Sequence, residues 1–165
     1  MMEPTLITST AGKSYAVMGG CYRIVISSED TNHEYAVIEM LVPPGGGPNP
    51  HAHKDIHESF HILEGEVAFT TAAGTVTAGK GSTIVIPKGG AVHSFKNKSD
   101  QAARLWCTVV PGGLDRFFAE FGTEVAYGTF LPPAPLSKDD ISRLEALSNK
   151  YGQVLLPPDY WEKHE

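Results

Sequence analysis

No run of about 18 apolar residues occurs anywhere in the chain, so no membrane-spanning helix is expected. Basic residues are scarce as well. Thirteen Lys and Arg stand against 19 Asp and Glu, a formal net charge of −6. Proteins that grip nucleic acid through its backbone neutralise phosphates with clustered cations. The nearest approach to such a cluster, Lys96, Lys98 and Arg104, is interrupted by Asp100. The same balance argues against docking on an anionic membrane surface, so neither nucleic acid nor membrane is expected as a partner. Cysteine is limited to Cys21 and Cys107. A pair so far apart makes no disulfide framework, and both residues sit in apolar runs where a buried free thiol is ordinary. The first residues, Met1-Met2-Glu3-Pro4-Thr5, lack a basic stretch followed by an apolar core. No secretory signal is expected, and the cytoplasm is the default location.

What is present is apolar residues at 41%, together with 17 Gly and 12 Pro among 165 residues. That is enough for a core, and it implies one domain of short elements joined by tight turns rather than a helical bundle. Apolar runs at Tyr15–Met18, Tyr22–Ile26, Tyr35–Val42, Phe60–Leu63, Val67–Thr70, Thr83–Ile86, Val92–Phe95 and Ala103–Val110 read as strands. Their spacing, roughly eight to twelve residues, is that of a sandwich or barrel. Glu64-Gly65-Glu66 reads as the turn of a hairpin between its two neighbours. Pro43 to Pro50 forms a Pro/Gly-rich loop.

Only the last third looks helical. Leu114, Phe117, Phe118 and Phe121 fall on one face of a short helix that Gly122 can end. After a Pro-rich linker, Leu131 to Pro135, Ser137 and Asp140 resemble an N-cap with an acidic first turn. Ile141, Leu144 and Leu147 then line one stripe. Both helices are expected to pack on the outside of the sheet, with a helix over a barrel mouth as the alternative.

Four of the seven histidines fall between His51 and His61. His51 and His53, one residue apart, share a face if they lie on a strand. Two imidazoles on one face are half of a site for a first-row metal. Glu58, Phe60, Ile62 and Glu64 share one face of the next strand, which turns His57 and His61 away toward the surface or another subunit. His93, far along the chain, shares a face with Phe95 and Asn97. Two local histidines, a carboxylate and a remote histidine would pin strands together and leave positions open for substrate. Isolated core histidines are the alternative.

At these residues the chain resembles the cupin superfamily. Gly45, His51, His53, Glu58 and Gly65 match the first cupin motif, and Gly81, Pro87, His93 and Asn97 match the second. One turn departs from the pattern. Gly89 satisfies Pro-x-Gly but leaves three residues before His93, whereas Gly90 has the right distance to His93 but sits one late after Pro87. Pro43 to Pro48, and Pro111-Gly112-Gly113-Leu114-Asp115-Arg116-Phe117-Phe118, look like the small single-domain cupins often labelled quercetinase-like.

The resemblance implies an all-β, double-stranded β-helix (a jelly-roll barrel) at 14–111. An N-terminal arm at 1–13 and a helical extension at 112–165 packed on the barrel would flank it. It further implies that His51, His53, Glu58 and His93 bind one divalent transition metal (Fe, Mn, Ni, Co, Cu or Zn), and that the chain forms a homodimer. The expected activity is that of a metal-dependent dioxygenase on a small hydroxylated aromatic or enolic substrate. Glu58 would be a ligand or proton acceptor, and Phe60, Ile62 and Phe95 would line the substrate pocket, with Ile84 and Ile86 as further wall candidates. Tyr127 or His57 is a candidate acid–base group beside the metal. A metal-dependent isomerase or lyase, and a non-catalytic metal- or ligand-binding module, are the alternatives, because one fold hosts many chemistries.

Overall fold

The computed structural model describes residues 4–133 and 135–164. Residues 1–3 of the expected arm, residue 134 of the Pro-rich linker and residue 165 lie outside the described part. Among the described residues, β1 (Ser14–Val17), β2 (Gly20–Ile26), β3 (Ala36–Val42), β4 (His51–His53), β5 (His57–Glu64) and β6 (Glu66–Thr71) come first. They are followed by β7 (Gly74–Gly79), β8 (Thr83–Ile86), β9 (His93–Lys96), β10 (Ala103–Val110) and α1 (Leu114–Phe121). The chain then forms β11 (Thr123–Val125), α2 (Lys138–Lys150), β12 (Gln153–Leu155) and a 3-10 turn at Trp161–Lys163. All strand pairings are antiparallel, in one sheet ordered β11-β1-β2-β3-β10-β5-β8 and another ordered β12-β4-β9-β6-β7. This is an all-β double-stranded β-helix with short accessory helices.

The two sheets face each other, and alternate residues of each strand fill the space between them. Along β10, Ala103, Leu105, Cys107 and Val109 are buried and alternate with more exposed neighbours. Phe60 of β5, Phe69 of β6 and Phe95 of β9 are buried and meet with ring centroids 5.4–5.7 Å apart. Aromatic contact at these separations adds to the apolar area each ring buries.

The expected hairpin at Glu64-Gly65-Glu66 does not form. β5 pairs with β10 and β8, whereas β6 pairs with β7 and β9. The chain passes from one sheet to the other at Gly65, whose backbone has φ 71°. A Cβ there would stand 3.0 Å from Ala103 Cα, so the corner has no room for a side chain.

The helices pack on the barrel, α1 against β1, β3 and α2. Their boundaries follow local signals: α1 ends at Gly122, and Ser137 and Asp140 form a capping box at the start of α2. Their placement does not. α1 crosses the open end of the barrel, anchored by Asp115, which accepts hydrogen bonds from the backbone and hydroxyl of Ser28 and from Gly113 N–H. Leu114, Phe117, Phe118 and, from α2, Leu144 point into a cavity at the barrel mouth instead of only covering a sheet. Of the expected α2 stripe, Leu144 is buried, Leu147 half-buried and Ile141 exposed.

β11 and β12 have no counterpart in the sequence reading. Each is three residues long, too short for alternation to register, and each forms by adding to an edge already present, β1 or β4.

Candidate metal centre

His51 and His53 sit on β4 with their rings on the inner face. Glu58 begins the inward row of β5, and His93 opens β9, paired in register with His51. The turn before His93 carries the extra residue of the second motif. Gly89 and Gly90 both adopt positive φ, 120° and 81°. Their N–H groups donate to the carbonyls of Lys54 and His53 at 2.8 and 3.1 Å. The turn thereby absorbs the extra residue by clamping onto the end of β4, and His93 keeps its register.

One potential ligand atom from each of His51, His53, Glu58 and His93 lies within 4.8 Å of the others, and all four residues are buried. Glu58 Oε2 stands 3.1 Å from His93 Nε2 and 3.5 Å from His53 Nε2. Local carbonyls fix two of the rings. His51 Nδ1–H donates to Asn49 O and His93 Nδ1–H to Ala91 O, both at 2.9 Å, since a carbonyl can only accept. Neutral rings held in that tautomer turn the Nε2 lone pair toward the cluster, as tethered metal-binding histidines do.

Two further observations fit a cation. The ring nitrogen of His53 that faces the cluster, Nε2, is buried with no hydrogen-bond partner among the described residues. A neutral His93 that has given its hydrogen to Ala91 has none left for Glu58. Two lone pairs facing at 3.1 Å repel unless a proton or a metal ion lies between them. Imidazole with one carboxylate is a donor set for divalent transition metals.

Glu58's second oxygen is also held. Cys107 Sγ donates to Oε1 at 3.1 Å. The sequence marked Cys107 only as a buried thiol. The inward alternation of β10 carries the signal, but the pairing of β10 with β5 is needed to bring it to Glu58. Burial first, and then the Glu58 carboxylate, push this thiol well above its ordinary pKa, which keeps it a donor.

Burial, reinforced by His93, pushes the His51 imidazole down to about 3, and burial lowers His53 in the same direction. Burial works to raise Glu58, but its close contact with His93 and the proximity of His53 and His51 hold its carboxyl below the usual range. These shifts make the metal-free fold acid-sensitive. The unfolded chain takes up a proton at His51 below about its ordinary 6.5, while the folded ring resists until about 3. Stability is therefore full above that ordinary value and is lost as pH falls through this window, and Glu58 extends the loss further into acid. The urea midpoint of metal-stripped protein should fall steadily between pH 7.5 and pH 5. A midpoint unchanged across that range would contradict these environments.

The cavity beside the cluster has a volume of about 150 Å³. His51 and Glu58 form part of its wall with Phe60 and Phe95, and the C-terminal residues Leu114, Phe117, Phe118, Leu144, Gln153, Leu155 and Leu156 complete the lining. Ile62 departs from expectation: it is fully buried in the core and does not line the cavity, because its place on β5 is one inward step further from the mouth than Phe60. Ile84 and Ile86, on β8 at the edge of the larger sheet, are likewise absent from the lining.

His57 and His61 are exposed, and His61 Nδ1 pairs with Thr83 Oγ1 at 2.9 Å. Asn97 is buried away from the cluster. It donates to the carbonyls of Val42 and Gln101 and accepts from Ser99, fastening a loop. Tyr127 does not reach the site. It lies outside the barrel, with Arg23 over its ring 5.3 Å from the centroid.

Residues 38–110 match the model of the cupin domain family. Over 119 residues the chain is 25% identical to quercetin 2,3-dioxygenase of Bacillus subtilis, an alignment that covers 72% of this chain and 35% of the relative. The chain thus spans about a third of that protein's length. Among solved structures, KdgF from Halomonas sp. superposes with a TM-score of 0.60 at 13% identity, covering 70% of this chain and 99% of that one. The polyketide cyclase RemF from Streptomyces resistomycificus superposes with a TM-score of 0.56 at 22% identity, covering 88% and 92%. Likeness at these identities speaks for the fold. None of the described helices is long and apolar enough to cross a membrane.

Proposed function

We propose that this chain, whose residues 38–110 form a cupin domain, is a metal-dependent dioxygenase acting on a small hydroxylated aromatic or enolic substrate. The observation that carries this reading is the buried His51, His53, Glu58 and His93 cluster at the wall of an apolar cavity. The similarity to quercetin 2,3-dioxygenase supports the choice of chemistry. A redox-active divalent ion held by these four residues would supply Lewis acidity for the substrate hydroxyl and access to O₂.

The protein's own part is to position and to exclude water. Phe60, Phe95, Phe117 and Phe118 line the cavity in which a ligand would sit. Glu58 is the carboxylate at the cavity wall among the described residues, and it would either stay a ligand or accept the proton of the substrate hydroxyl. Its depressed basicity suits it to a hydroxyl already acidified by a cation. A homodimer is part of the proposal and is read from light scattering.

The deciding experiment is metal analysis of purified protein followed by O₂ uptake with each of Fe, Mn, Co, Ni and Cu. It uses a flavonol and a set of one-ring enols as substrates. Substrate-dependent uptake that disappears on metal removal is expected. No uptake with any metal would move the assignment to an isomerase, a lyase or a non-catalytic binding module.

A further inference from the structure

The two oxygens of Glu58 have different neighbours. Oε2 faces His93 Nε2 at 3.1 Å and His53 Nε2 at 3.5 Å, while Oε1 accepts the S–H of Cys107 at 3.1 Å. Sheet register makes the second contact possible. In the β10–β5 pair, Glu58 stands opposite Val109 and Cys107 opposite Phe60. Glu58 and Cys107 are therefore diagonal neighbours on the inner face, within reach of a long side chain. Both are shut off from solvent.

Packing alone does not require sulfur at this position. The inward companions of Cys107 on β10, namely Ala103, Leu105 and Val109, are apolar and equally buried. Cys107 is the one member of that row with a donor. Its sulfur does not join the ligand set either: the ligand atoms that lie within 4.8 Å of one another come from His51, His53, Glu58 and His93. The thiol therefore touches the carboxylate and not the cluster as a whole. The last torsion of a glutamate is broad and roughly two-fold, so an unrestrained carboxylate can present either oxygen or both. An ionised carboxylate only accepts, and with Oε1 engaged by S–H, Oε2 is the oxygen turned to the histidines.

We infer that Cys107 is a positioning residue for the metal centre: its S–H fixes the Glu58 carboxylate so that a divalent cation held by the three histidines meets one oxygen, Oε2, and not both. Carboxylates bind cations through one oxygen or two. Restriction to one keeps a position open for the oxygen of a substrate, as catalytic metal sites require. Partners that orient a ligand in this way matter nearly as much as the ligands themselves. The inference rests on the metal-binding part of the proposed function and is independent of its oxygenase chemistry.

The test uses the full chain, stripped of metal and reloaded with zinc or with cobalt(II). Cys107→Ser keeps a donor, whereas Cys107→Ala and Cys107→Val lack one and bracket the thiol in size. Zinc affinity is read by competition with a chelator, and cobalt coordination by its visible absorption. Both donorless variants should lose about tenfold or more in zinc affinity. Their cobalt bands should weaken, because cobalt(II) absorbs less as its coordination number rises. Cys107→Ser should match wild type in both readouts, a rescue that a packing role does not predict, since serine fills an apolar site worse than valine. Wild-type affinity and cobalt bands in Cys107→Val, or a Cys107→Ser variant that falls with it, would overturn the inference. So would an intense sulfur-to-cobalt band in wild type, which would make Cys107 itself a ligand. Should the donorless variants not fold, the infrared thiol stretches of wild type decide, since Cys21 is the only other thiol. One band should be displaced to lower frequency and vanish in Cys107→Ser, and an undisplaced Cys107 band would overturn the inference. Wild type that binds neither zinc nor cobalt would overturn the metal centre and the inference with it, whereas the other outcomes leave the metal centre standing.

Discussion

His93→Ala should leave the protein without bound metal. Wild-type chain purified and reloaded with zinc should hold about one ion, and the variant less than about a tenth of that after gel filtration. Loss of a group that merely orients a ligand typically lowers metal affinity 10–100-fold, and loss of a ligand should exceed that. His93 is the cluster's member from β9, and it faces Glu58 across 3.1 Å with no solvent exposure. Without it, His51, His53 and Glu58 remain buried, and Glu58 Oε2 loses its nearest neighbour. Alanine also removes the ring stacked on Phe69 at 6.0 Å. His93→Gln, which keeps most of the volume, separates metal loss from packing loss, and circular dichroism checks the fold of both. His57→Ala is the control, since that side chain is exposed and outside the cluster. Metal retained in His93→Ala and lost in His57→Ala would overturn the ligand assignment.

The second large effect lies outside the site. Glu39→Ala should destabilise the fold by about 3–5 kcal/mol, a fall of about 10 °C in thermal midpoint for a chain of this size. Glu39 is on the outer face of β3 yet only 2% exposed. Arg23 donates from Nε at 2.8 Å, with Nη2 at 2.6 Å, and Arg104 donates from Nη1 at 3.1 Å. Arg23 is itself buried, and its other nitrogen donates to Ala11 O, tying the N-terminal segment to the sheet. Removing the carboxylate strands the Arg23 charge in a dry environment, whereas Arg104 keeps Glu64. The cost is that of an unpaired buried ion rather than the net value of the ion pair. Arg23→Met combined with Glu39→Met should therefore lose much less than Glu39→Ala alone. Chemical denaturation with unchanged zinc content checks the assignment. A loss below about 1 kcal/mol for Glu39→Ala would show that Arg23 finds water or another partner.

Glu39 illustrates where reading along the chain stops. It sits inside the apolar run Tyr35–Val42 with no local sign of its partners, which lie 16 and 65 residues away. The metal-centre residues were more legible. Strand parity put His51 with His53 and turned His57 and His61 outward, because a two-residue period is a local property of extended backbone. The same parity aligned Glu58 with Phe60, and spacing marked His93. The limits of α1 and α2 were legible for a similar reason, since Gly122, Ser137 and Asp140 act within one turn of themselves.

Parity names a face, but it does not say what that face meets or how far along the barrel a residue lies. Ile62 has the same parity as Phe60 and ends in the core, while Phe60 reaches the cavity. Gly65 looks like a hairpin turn until the neighbours of β5 and β6 are known. From the order of residues alone came the strands, the capped helices, the acidic surface and the candidate ligands, all governed by interactions over a few residues. Sheet assignment, the Cys107 contact to Glu58, the placement of α1 over the barrel mouth and the arrival of Gln153 beside His53 depend on pairings between distant segments. Those pairings are selected by burial of the whole core, a free energy that belongs to no local stretch of the chain.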